Sequence, residues 1–261
     1  MIGFLNKIKL LSKLTAAVSV VALLCTFVFY STITSFSVPY RHQIQKDDNI
    51  SSFYNVAHQK AIKKSRKSSV QVISIQPQSG VLSTFSGTYF KSVTGYFIIT
   101  VAHGIQGPCE FTKIIYNNEL YDCKKYIVID NDTDYAIIQV DEIEDRTAIK
   151  IPGDLPKNKQ WIRSHSLLNK LIHTGYPNTI GPLTISGEVA GYASSEYIYM
   201  ISYAWQGSSG SGVFDANGRY IGHIVAVDVG QSEFGVQILS KLVLVVPAYK
   251  IDWTKVITES E

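Results

Sequence analysis

The stretch Trp205-Gln206-Gly207-Ser208-Ser209-Gly210-Ser211-Gly212 sets a serine hydroxyl among closely spaced glycines. Glycine permits backbone angles that a side chain forbids, so amide N–H groups here can converge on one point beside the Ser209 hydroxyl. Acyl transfer uses such a turn, because the oxyanion it creates needs N–H donors already aimed at it. The hydroxyl itself is a poor nucleophile until a neutral imidazole takes its proton. A carboxylate must in turn hold that imidazole in the right tautomer and stabilise the imidazolium. Gly/Ser-rich turns are in most proteins only loops, so Ser209 gains weight from what lies upstream. His103 ends the run Thr100-Val101-Ala102-His103-Gly104, and Asp134 opens the run Asp134-Tyr135-Ala136-Ile137-Ile138.

Those residues need strands to carry them, and the text from Ser68 onward alternates strand and turn. Strands are expected over 70–75, 87–90 and 96–101, the last running straight into His103, then over 111–115, 126–129 and 135–140. Residues 141–163, charged and holding Pro152 and Pro156, read as a crossing to a second half. That half has strands over 170–174, 183–190, 197–203, 212–214, 220–227 and 234–246, and a short helix within 247–258. Short strands at this spacing point to barrels or a sandwich and away from a βαβ fold. Asp130, Asp132 and Asp134 share one strand parity. Only Asp134 directly precedes an apolar run that would pin it near the core, and the other two are expected in solvent. His42, His58, His165 and His173 lack such company and read as surface or core residues.

A chain of 261 residues that is 46% hydrophobic and 17% charged can bury a real core, which excludes a disordered tail. Its 16 tyrosines and 11 phenylalanines, with many Val and Ile, favour strands. A net charge of +3, with 21 acidic residues interspersed, gives no footprint for nucleic acid. Residues 14–40 carry no charge, and some 20 apolar residues at ~1.5 Å each span a bilayer core of ~30 Å. We therefore expect residues 1–40 to hold a cytoplasmic end and one uncleaved membrane-spanning helix. Cys25 would lie within it as a lipid-facing or packing residue. Lys7, Lys9 and Lys13 before the span, against Arg41 and Lys46 after it, put the N-terminus inside and the remaining domain on the extracytoplasmic side. Residues 41–67 are the spacer, with the basic run Lys60 to Lys67 as solvated linker or short helix.

Three strings then resemble one family: Tyr96 to Gly104, Asp134 to Ile138, and Gly207-Ser208-Ser209-Gly210-Ser211-Gly212 followed by Asn217-Gly218 and Ile221-Gly222. Their order and surroundings are similar to the chymotrypsin-like serine proteases, and most to the bacterial HtrA/Deg-type branch. Gly175-Tyr176-Pro177 and Ser186-Gly187-Glu188-Val189 add to the likeness, which runs from about Ser68 to Ile257. The resemblance implies an all-β fold of two Greek-key β-barrels, 68–150 and 151–261, with the site between them. It implies His103 as general base, Asp134 as its orienter and Ser209 as nucleophile, with the amides of Gly207 and Ser209 as oxyanion hole. Ser208 stands where the branch has Asn, and Ser211-Gly212 where it has Gly-Pro; neither removes a catalytic group.

In that family the strand after the serine hairpin lines the pocket for the residue before the scissile bond, here Ile224, Val225 and Ala226. Picornavirus-like proteases place a histidine there, but alignment on Ile221-Gly222 puts that position on Ile224 and turns His223 to the opposite face. A modest apolar pocket preferring Val, Ala or Leu is expected. The residues after Gly212 are used up by the barrel, leaving no peptide-binding appendage such as a PDZ domain. Protein or peptide substrates and the membrane are the expected partners, with a homo-oligomer admitted. No cofactor is implied, and no Cys/His cluster has zinc spacing. A viral polyprotein protease is a second reading, and a non-catalytic protease-fold binding module a third. An α/β-hydrolase is disfavoured, because its serine precedes its histidine. Cys109 and Cys123 flank the Asn117-Asn118 turn and are candidates for a disulfide in an oxidising compartment. A two-residue turn pairs Cys123 with Thr112, so the bond asks for a longer loop or a bulge; bonded and free states both stay open.

Overall fold

β-Branched and aromatic residues fill most of the runs between turns, and almost all of them become strand. The computed structural model describes residue 50 and residues 55–117, 119–151, 153–193, 196–232 and 235–257, with backbone only at 158, 159, 162 and 226–240. The expected anchor within 1–40 and residues 41–49 of the spacer lie outside the described residues. Among the described residues no helix is long and apolar enough to cross a membrane.

The first half comprises β1 (Ser69–Ile75), β2 (Leu82–Ser92), β3 (Gly95–Thr100), β4 (Thr112–Tyr116), β5 (Glu119–Asp122), β6 (Lys125–Asp130), β7 (Tyr135–Val140) and the short β8 (Ile149–Lys150). Neighbouring strands run β5-β4-β1-β2-β3-β7-β6, with β8 added parallel to β2. This differs from the closed barrel expected for 68–150, since β5 and β6 at the two edges do not pair. Yet only Cys123 and Lys124 separate them in the chain. The edges are two arms of one bent segment, β5 on β4 and β6 on β7, so the ring is completed by covalent continuity. A side-chain bond between the Thr112 and Tyr126 hydroxyls, 2.6 Å, crosses the opening.

The second half is a closed barrel of β10 (Leu183–Tyr192), β11 (Ile198–Ile201), β14 (Gly235–Pro247), β13 (Tyr220–Ser232), β12 (Gly212–Asp215) and β9 (Lys170–Gly175), in that spatial order. A short helix, α2 (Asn158–Ser164), leads into it, and α3 (Thr254–Ile257) ends the described chain.

Both faces of β3 and β7 are buried, which explains their unbroken apolar runs. Ile98 and Ile138 point into the first barrel with Val70, Val72 and Ile114. Phe97, Ile99 and Ile137 face outward, where Phe214, Tyr220, Ala248, Ile251 and Val256 cover them. The C-terminal segment is thus a cap over the outer face of the first barrel. Leu171, Val189, Met200, Val213, Ile224 and Val243 fill the second.

The basic run expected in the spacer belongs to α1 (Val56–Ser68), whose first turn is capped by Asn55 Oδ1 accepting from His58 N–H at 2.9 Å. Ala61, Ile62 and Ser65 share one face. Ala61 and Ile62 pack on Ile172, and Ser65 Oγ donates to Thr174 Oγ1 at 2.7 Å. Arg66 reaches the Pro182 carbonyl and Thr184 Oγ1, each at 3.0 Å. The run therefore ties the helix to the second barrel.

Cys109 and Cys123 form a disulfide, with Cα atoms 5.3 Å apart. Tyr116 pairs with Glu119, and Cys123 N–H donates to the Thr112 carbonyl, as a two-residue turn requires. The reach comes from neither a bulge nor a longer loop: a single 3-10 turn at Cys109–Phe111 folds residue 109 back beside the corner. A 14-residue separation corresponds to a loop-closure contribution of about 3 kcal/mol in the chain-entropy model. We predict that Cys109→Ser with Cys123→Ser lowers the unfolding free energy by roughly that amount. Guanidinium titration would measure it, and a midpoint equal to that of the oxidised protein would refute it.

Candidate active site

β3 delivers its apolar residues to the core and ends at Thr100, so that His103 emerges three residues later, in a turn, with its side chain 53% exposed. β7 starts at Tyr135, leaving Asp134 immediately before it with φ of 60°. An aspartate tolerates this left-handed conformation better than most residues. Its carboxylate accepts twice from one residue, Oδ1 from the His103 main-chain N–H at 3.0 Å and Oδ2 from the ring Nδ1 at 2.7 Å. The second bond requires the proton on Nδ1, which leaves Nε2 with its lone pair free to accept one. Burial alone would raise the Asp134 carboxyl pKa. The ring and main-chain bonds from His103, with the charges of His103 and His223, outweigh burial and hold it below the usual carboxylate value. Of the other two aspartates, Asp132 is exposed, as expected. Asp130 instead shapes the turn, its Oδ1 accepting from the N–H groups of Asp132 and Thr133 at 3.0 and 2.9 Å.

The glycine-rich loop enters from the second barrel between β11 and β12. Gly207 and Gly210 have φ of 91° and 83°, a region open to glycine. A Cβ on Gly210 would collide with the Ser86 carbonyl, and one on Gly207 would lie 2.7 Å from the Tyr176 carbonyl. Glycine at 210 therefore lets the loop press on β2 of the first barrel, and glycine at 207 lets it lie against the Tyr176-Pro177 segment of the second half. The N–H groups of Gly207 and Ser209 donate to no acceptor among the described residues, and stay available. The Ser209 hydroxyl donates to the Val225 carbonyl at 3.1 Å. Two residues earlier on the same strand, His223 Nε2 lies 3.0 Å from the Asp134 carbonyl. A continuous chain of contacts thus joins Ser209, through Val225 and His223, to Asp134 and His103.

Ser86, absent from the sequence-based expectations, holds this loop from β2. Its N–H donates to the Ser209 carbonyl at 2.8 Å and its Oγ to the Gly207 carbonyl at 2.7 Å, while the same Oγ accepts from Tyr176 N–H at 2.9 Å. Thr100 Oγ1 donates to the Ser86 carbonyl at 2.6 Å. No local pattern in the sequence marks Ser86 for this role, since the neighbouring Gly87 makes room for Ile98 and Val72 in the first-barrel core and not for the loop. Among the expected pocket residues, Ile224 points into the second-barrel core. Val225 packs with the first-barrel cluster and presents its carbonyl to Ser209. The side chain of Ala226 lies outside the described residues. His223 and Ile224 do face opposite ways, as strand alternation demands.

Residues 79–222, over half of the chain, match the family model of the trypsin-like peptidase domain. No curated protein matches the chain. Among solved structures, it is similar to the serine endoprotease from Yersinia pestis, at 17% identity and a TM-score of 0.59, covering 80% of this chain and 69% of that one. It is also similar to the Rv3671c protease from M. tuberculosis in its active form, at 15% identity and a TM-score of 0.54, covering 72% of this chain and 79% of that one. At such identities the two structures speak for the fold alone. With the family model spanning the strands that carry His103, Asp134 and Ser209, this chain belongs to the trypsin-like peptidase family and is a serine endopeptidase.

Proposed function

We propose that the enzyme cleaves peptide bonds with Ser209 as nucleophile, His103 as general base and Asp134 as its orienter. The observation that carries this reading is the two-point bond from His103 to Asp134, linked through β13 to a loop whose Gly207 and Ser209 N–H groups have no acceptor among the described residues. In the resting arrangement the Ser209 hydroxyl sits on the Val225 carbonyl. A change of its side-chain rotamer, a fast motion for an accessible serine, turns it toward His103 Nε2. Ser209 Oγ then attacks the scissile carbonyl carbon as its proton passes to Nε2, and the N–H groups of Gly207 and Ser209 receive the oxyanion. His103 gives that proton to the leaving amine nitrogen as the C–N bond breaks, leaving an ester on Ser209. A water molecule, deprotonated by the same imidazole, then attacks the ester carbon; the bond to Ser209 Oγ breaks, the imidazolium returns the proton to Oγ, and the carboxylic acid product leaves. Asp134 remains ionised throughout and stabilises the imidazolium.

One wall of the pocket for the residue before the scissile bond falls, in this reading, to Ile224, Val225 and Ala226. Their apolar character favours Val, Ala or Leu there. The chain is anchored through its apolar segment 14–40, with the peptidase on the extracytoplasmic side. The Cys109–Cys123 bond supports that side, since such bonds persist in oxidising compartments. Catalysis is preferred over a binding-only role because the Nε2 of His103 and the two N–H groups are left open for chemistry.

Three measurements test these statements. A fluorophosphonate probe is predicted to label Ser209 in the wild type. Labelling should vanish in Ser209→Ala and fall by roughly a thousandfold or more in His103→Ala; equal labelling of a folded His103→Ala protein would rule out its role as base. Cleavage of a peptide library should show Val, Ala or Leu before the scissile bond, and dominance of Gln, Arg or Asp would exclude the proposed wall. A peptide tag at the C-terminus should be digested by protease added outside intact cells or spheroplasts, and protection until the membrane is opened would reverse the topology.

A further inference from the structure

His223 is fully buried on β13, at the seam with the first barrel, and the chemistry above does not use it. Its Nε2 lies 3.0 Å from the main-chain carbonyl of Asp134. A carbonyl can only accept, so Nε2 carries the proton and Nδ1 is bare; Nδ1 has no partner among the described residues. Protonating Nδ1 would bury a cation with one donor unmet. Burial accordingly pushes the ring down to about 4, against smaller upward effects from its bond to Asp134 and the Asp134 charge, and with a further lowering from His103. Asp134 and His103 are the ionisable groups acting on it. The ring is therefore a neutral, single-donor group at neutral pH. A cation here would compete with His103 for the same carboxylate.

The position of this donor matters because of what Asp134 has to do. With φ of 60° it holds a conformation that non-glycine residues seldom adopt, and in it both oxygens meet the N–H and ring of His103. Asp134 belongs to the first barrel. Its carbonyl is tied across the seam to β13, the strand that pairs His223 with Gly212, three residues beyond the nucleophile. We propose that His223 is a positioning residue, which fixes the Asp134 peptide from the second barrel and so aims its carboxylate at His103. The inference rests on the triad reading above and adds a cross-barrel clamp to it, specific to a buried histidine on the nucleophile's side.

The test uses the full-length chain and three variants. His223→Leu removes the donor. His223→Gln places an amide N–H near the position of Nε2, whereas His223→Asn carries the same amide too short to reach. The expected result for Leu and Asn is a kcat lower by roughly tenfold to a hundredfold, corrected for active sites titrated with fluorophosphonate, with KM changed by less than about twofold. Gln should restore kcat to within about fivefold of the wild type, as the donor is regained. A second readout needs no substrate: the downfield proton NMR signal of His103 Nδ1–H, identified by its loss in His103→Ala. It should be present in the wild type and the Gln variant, and lost or shifted upfield in Leu and Asn. If Leu does not fold, Gln against Asn decides. Equal kcat and an unchanged His103 signal in Gln and Asn would overturn the clamp. If the wild type cleaves and labels nothing, the triad reading fails, while the NMR signal still decides whether His223 sets the His103–Asp134 geometry.

Discussion

One carboxylate accepting two N–H groups from one residue is the constraint around which the site is arranged. Asp134 grips the main chain and the ring of His103 together, so the imidazole can neither swing nor flip without breaking a bond to a group held below its ordinary pKa. This grip demands a left-handed aspartate at the mouth of β7 and a histidine just past the end of β3. Those two strands pair directly, Thr100 opposite Ala136, so the ladder itself brings the two residues together. Burial of both faces of β3 and β7 then makes the pairing hard to shift, because a slip would expose isoleucines on two sides at once.

Ser209, the proposed nucleophile, arrives from the other barrel and must be matched to that fixed pair. Several bonds across the seam do this. Ser86 reaches the carbonyls of Ser209 and Gly207, and Tyr176 N–H meets the Ser86 hydroxyl. Farther out, Arg146 donates to the Tyr176 hydroxyl at 2.9 Å and to the Arg66 carbonyl at 2.6 Å, which brings α1 into the same network. Glycines in the loop and at the end of β9 serve close approach as much as conformational freedom. Gly210 and Gly175 each stand where a methyl group would strike Ser86 or Ser211.

What could be read from the sequence was local in origin. His103 and Asp134 stood out because each adjoins an apolar run that fixes its place along a strand. Turn spacing pointed to barrels or a sandwich, and the resemblance to the family narrowed this to two barrels, of which the second is closed. Contacts between distant segments left no such mark: Ser86 and Gly207 are 121 positions apart, and nothing in the neighbourhood of either names the other. The bend that completes the first ring was illegible for a different reason, since residues 119–130 read as turn and strand with no sign that the two arms serve opposite edges. The reach of Cys109 depended on one 3-10 turn, too short to have a period. The basic run of α1 read as solvated because its charges dominate, although Ala61 and Ile62 give it a buried face.

The bend at Cys123 and Lys124 also governs how the first ring can err. In an open sheet each edge strand may slide along its neighbour independently. Here β5 and β6 are joined through Cys123 and Lys124 alone, so a slip of β5 on β4 pulls directly on β6, whose register along β7 already shifts between Tyr126 and Val128. With Cys109 bonded to the bend itself, that displacement would also stretch a covalent link. The alignment of the two margins is thus coupled through one short covalent link, which the Cys109–Cys123 bond fastens beside the start of β4.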